Sequence, residues 1–96
     1  EPKAVFRSME LTVATNDIVT TRQALGQIFA KHGFDAELRS IDRGASEDAP
    51  GELVYSVDVS PMVSTDQLSE ELFEMDETHV AAVTWDQKKN YSYLYQ

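Results

Sequence analysis

Apolar residues recur with two different periods along these 96 residues, and the succession of the two periods predicts the architecture. From about Val5 to Ala14, Val5, Met9, Leu11 and Val13 share one face and Phe6, Ser8, Glu10 and Thr12 the other, as in a strand covered on one side. Over residues 18 to 32 the spacing turns helical. Ile18, Ala24, Leu25, Ile28 and Phe29 form a stripe, Asn16 or Asp17 can cap its start, and Gly33 suits a left-handed end. Phe34, Ala36 and Leu38 then alternate with Asp35, Glu37 and Arg39 in a strand reaching about Asp42. Residues 43–51 are rich in turn formers and predict a hairpin loop.

Leu53, Tyr55, Val57 and Val59 alternate as a third strand, stopped at Pro61. A second helix is expected over residues 65 to 75, with Ser64 and Gln67 matching a capping box and Leu68, Leu72 and Met75 as its stripe. Asp66 suits the dipole at the start of this helix, whereas Glu74, Asp76 and Glu77 sit at its unfavourable end. That end should fray, or its acids are held by other groups. Val80 to Trp85 reads as the last core strand, with Ala81, Val83 and Trp85 on one face. Beyond a polar turn, Tyr91, Tyr93 and Tyr95 alternate again, as a hairpin return or as an extension that pairs with another chain.

The order strand, helix, strand, strand, helix, strand predicts an α+β, ferredoxin-like βαββαβ sandwich, a four-stranded antiparallel sheet with both helices on one face. Residues 1–96 make a single domain with a core over about 5–86 and a tail or extra strand over 87–96. Register leaves open whether Tyr55 or Val54 points away from the helices, since a slip of one residue exchanges the faces. Strands 2 and 4 are the expected edges. An uncovered edge can join two domains, so strand 4 and the tyrosine tail are the expected surface for self-association.

Charge narrows the function classes. The net charge is −9, and the acids are unevenly placed. Residues 1–43 are balanced, whereas Gly44 to Gln87 contain acids and no lysine or arginine, a field that disfavours nucleic acid as a partner. The absence of cysteine removes disulfides, thiolate metal sites and thiol nucleophiles. No apolar run is long enough to span a bilayer, so contact with a membrane is expected only through a segment upstream. The start at Glu1-Pro2-Lys3 reads as a piece of a longer protein.

Helix 1, Ala24-Leu25-Gly26-Gln27-Ile28-Phe29-Ala30-Lys31-His32-Gly33-Phe34, the element order and the closing Val83-Thr84-Trp85 resemble an ACT-type regulatory domain. Within that group the chain is most similar to the soluble C-terminal ACT-like domain of MgtC-type bacterial membrane proteins. The resemblance implies a non-catalytic regulatory or oligomerisation domain, the cytosolic part of a larger, membrane transport-associated protein. It also implies a cytoplasmic location, as the soluble domain of an inner-membrane protein. ACT domains that bind amino acids have a glycine- or proline-bearing loop between strand 1 and helix 1, where this chain has Ala14-Thr15-Asn16-Asp17-Ile18-Val19.

No catalytic constellation and no phosphate-cradling glycine loop is recognisable, and no cofactor is expected. His32 reads as a structural residue suited to the end of helix 1. Asp76, Glu77 and His79 form an Asp-Glu-x-His cluster able to bind a divalent cation through oxygen and imidazole ligands. They supply the alternative of a small-ligand or divalent-cation sensor using the acidic second half. Asn16, Asp17, Trp85, Tyr91, Tyr93 and Tyr95 are the remaining ligand or interface candidates.

Overall fold

The computed structural model describes residues 7–44 and 49–87. Val5, residues 45–48 of the expected loop, and Tyr91, Tyr93 and Tyr95 lie outside the described residues. Six elements follow in the expected order: β1 (Arg7–Thr15), α1 (Ile18–His32), β2 (Asp35–Asp42), β3 (Gly51–Val59), α2 (Thr65–Met75) and β4 (Val80–Gln87). The sheet order is β2-β3-β1-β4 and every neighbouring pair is antiparallel. This is the ferredoxin-like α+β arrangement, with β2 and β4 at the edges among the described residues.

Local chemistry fixes the helix limits. The Asp17 carboxylate accepts from the Thr20 backbone N–H at 3.1 Å and opens α1. Gly33, at φ 69°, closes it in a left-handed conformation that a side chain would strain. Ser64 opens α2 by accepting from the Asp66 N–H at 3.1 Å, but the capping box is only half formed. Gln67 reaches forward to Glu71 at 3.3 Å instead of back to the cap.

Met9, Leu11 and Val13 of β1 and Leu53, Tyr55, Val57 and Val59 of β3 are buried against the helices. The helices contribute Ala24, Leu25, Ile28 and Phe29 from α1 and Leu68 and Leu72 from α2. Tyr55 therefore points inward, edge-on to Phe29 with ring centroids 5.4 Å apart, and Val54 takes the open face. Met75 departs from the expected stripe and is 46% exposed. It lies at the last turn of α2, beside Lys31 and Glu74 in an open groove between the helices.

Both edge strands are irregular. In β4, Thr15 is opposite Val80 while Ala14 is opposite Ala82, so Ala81 is an extra residue. The bulge changes the phase: Val80 is buried and Ala81 exposed, so Ala81 does not share one face with Val83 and Trp85 as the alternation predicts. In β2, Leu38 is opposite Tyr55 and Ser40 opposite Val54, which leaves Arg39 as the extra residue. Ala36 shares the helix side of β2 yet is exposed, because cover from the helices thins at this edge.

Candidate functional site

Two crossovers meet at one end of the sheet, and their polar side chains interlock there. β1 delivers Thr15, the start of α1 delivers Asp17, Thr20 and Thr21, and the turn after α2 delivers Asp76 and His79. Asp76 is 4% exposed, so its oxygens need partners. Thr21 donates its hydroxyl to Oδ2 at 2.5 Å, and His79 Nδ1 lies 2.6 Å from Oδ1. Because the Thr21 proton is spent on Asp76, the Thr15 hydroxyl at 2.6 Å is left to donate to Thr21. The Asp17 N–H in turn donates to the Thr15 oxygen at 3.1 Å. A continuous relay thus runs from the backbone of the β1–α1 loop to a buried carboxylate.

His79 stands between two acids. With Nδ1 donating to Asp76, Nε2 points towards Asp17 Oδ2 at 3.9 Å. The Asp17 carboxyl is held below its ordinary range, first by the Thr20 backbone N–H and then by the Thr20 hydroxyl, with His79 contributing less. The backbone adds a further tie, the Asn16 N–H to the His79 carbonyl at 2.9 Å. A hydroxyl nucleophile in line with His79 Nε2 would be needed for acyl chemistry, and a carboxylate stands there instead.

The expected cation cluster is therefore brought together in part. Asp76 and His79 meet, while Glu77 lies exposed on the turn. Among the described residues no group of three or more histidines and acids is arranged to hold a metal ion. Asn16 and Asp17 border an open hollow of about 360 Å³ together with Arg43 and Gly51. Gly51 is required here: a β-carbon on it would lie 2.6 Å from the Asp42 carbonyl oxygen.

Trp85 sits on the helix side of β4, where its indole N–H donates to Ser69 Oγ of α2 at 2.9 Å. It borders the core beside Leu68 and Leu72 and so anchors the edge strand under the helix, rather than presenting a free stacking surface. His32 is stacked on Phe34 and bonded to Glu71 of α2 at 3.1 Å, a link between the helices that fits its structural reading. Burial raises the Glu71 carboxyl, but hydrogen bonds from His32, Gln67 and Lys31 outweigh it and hold the group below its ordinary range. The role of Thr15 and Thr21 was missed in the sequence. Their only sequence signal is that two polar residues fall at core-facing positions.

No protein-family model matches the chain, and no curated protein matches it. Among solved structures, it is similar to the C-terminal domain of the MgtC protein from Mycobacterium tuberculosis, determined in solution. The TM-score is 0.61 at 18% identity, over 94% of this chain and 95% of that one. The two share a fold. That shared fold places the Asp76 relay at the end where β1 passes into α1 and α2 passes into β4.

Proposed function

We propose that the chain is a non-catalytic regulatory or oligomerisation domain, the cytosolic part of a larger, membrane transport-associated protein, and that it pairs with a second copy through the β4 edge. The similarity to a C-terminal domain of MgtC supports a module that works attached to something larger. No helix among the described residues is long and apolar enough to cross a membrane, so in this reading a tether is supplied by another segment.

The observation that carries the reading is the edge itself. Among the described residues β4 is hydrogen-bonded on one side only, and from Val80 to Trp85 it bears no charge. A two-fold axis perpendicular to the sheet and centred on Thr84 opposes Val83 to Trp85 and Ala82 to Asp86, with no like charges facing. The β-branched and aromatic pair falls on the helix side.

Light scattering across a concentration series tests this. The intact chain should approach twice its 10.8 kDa mass as concentration rises. Thr84→Lys sets two ammonium groups face to face and should return the monomer, with a melting temperature equal to the parent's at low concentration, where both are monomers, since Thr84 is exposed. A monomer at every concentration would overturn self-association by these residues. An unchanged dimer in Thr84→Lys would remove β4 as its site.

A further inference from the structure

The face of the sheet opposite the helices is uncovered among the described residues, and its charges oppose one another. Asp35 lies directly opposite Asp58, Glu10 opposite Asp86, and Asp42 opposite Glu52. Like charges directly across an antiparallel pair destabilise it. Among the described residues, little on this face offsets them. Arg39 pairs with Glu37 at 3.1 Å, and the Ser8 hydroxyl donates to Asp58 at 3.1 Å. Of the other described cations, Arg7 donates to the Val63 carbonyl and Lys31 pairs with Glu71.

Between the acidic rungs runs a row without charge, Ser40, Val54, Thr12 and Thr84, crossing all four strands. Two features of this layout select the occupant. The carboxylates do not converge, and no set of three suits a metal ion, so one compact cation cannot neutralise them. Successive rungs on one face are instead spaced by two residues, about 7 Å. Lysine and arginine side chains are long enough to cross that gap from a backbone laid over the neutral row and so reach the rungs that flank it. The neutral row offers that backbone hydroxyl partners and one apolar side chain.

We infer that the open face of the sheet is a docking surface for a basic polypeptide segment of a partner protein, with lysine or arginine side chains reaching the acidic rungs on either side of the neutral row. This does not depend on pairing through β4. Binding relieves repulsion built into the unbound sheet, so each acid contributes both by attraction to the partner and by loss of its conflict with the acid opposite.

The probe is a fluorescein-labelled (Lys-Thr)5 peptide, titrated with the intact chain by anisotropy at low and moderate salt. One variant takes an acid from each rung, Asp35→Asn, Glu52→Gln and Asp86→Asn. A second removes the same charge from the exposed surface of α2, Asp66→Asn, Glu70→Gln and Glu74→Gln. The face variant should bind about ten-fold more weakly and the α2 variant less than two-fold. The face variant should also melt at or above the parent temperature, because it relieves repulsion. Equal weakening by both variants would mean attraction to net charge alone and overturn the surface. Absence of binding by the intact chain would overturn it outright.

Discussion

Among the described residues β2 and β4 both border the sheet, yet they place charge and irregularity differently. β2 carries Asp35, Glu37, Arg39 and Asp42, with its bulge at Arg39 in mid-strand. Charge and a bulge together deny a second strand a continuous ladder. β4 has its bulge at the start, at Ala81, and runs on regularly without charge until Asp86. Its inner side is fastened by Val80 in the core and by Trp85 on Ser69. One edge is thus guarded and loosely covered, the other firmly backed and unguarded. Guarding matters where pairing is harmful, and a strand held rigid from behind loses less conformational entropy when it pairs.

The largest effect that would break this contrast is loss of the β4 anchor. Trp85→Ala removes the ring from beside Leu68 and Leu72 and should cost about 3 kcal/mol in a denaturant titration, more than Leu38→Ala on β2. Equal costs would mean that the two edges are backed alike. Next in size, Asp76→Ala deprives Thr21 and His79 of their acceptor at the start of β4 and should cost about 2 kcal/mol. If hydrogen exchange then quickens in β4 before β2, the relay belongs to the firm edge.

A smaller effect is set by pH. The folded-state values of Asp17 and Glu71 lie below those of the unfolded chain, so their contribution is complete above the ordinary carboxylate range, about 4, and is lost as pH falls through the lowered values. Midpoints of urea melts should therefore drop on acidification below about 4, and Glu71→Gln should remove part of the drop. Smallest of all is Ser40→Lys on the guarded edge. Light scattering of this variant should match the parent, whereas Thr84→Lys on β4 should not.

The limits of α1 were legible because three local signals agree: the Asp17 cap, the apolar stripe and a glycine where φ must be positive. The phase of β4 was not, because an extra residue at Ala81 leaves no mark in composition and moves Val80 inward. Met75 has the right spacing for the stripe, but the core ends before the last turn of α2 reaches it. Asp76 could be read only as an acid at an unfavourable helix end, held by something. Its holder Thr21 is 55 positions away in sequence, and helical spacing does not reveal such a partner. Adjacency suggested Glu77 as a companion of His79, while the fold brings Asp17 towards it instead.

The pairing of Met9 with Gln87 at one end of the sheet has a mechanical consequence. β1 begins and β4 ends side by side there, while the Asp76 relay lies at the other end, roughly 20 Å along the strands. A larger protein joined at both points would hold the domain like a pendant from a single hook. Pull between the two attachment points would then unzip β4 from β1 one rung at a time, instead of shearing the whole sheet at once. The domain would yield at low force from its attached end, with the relay the last part to part.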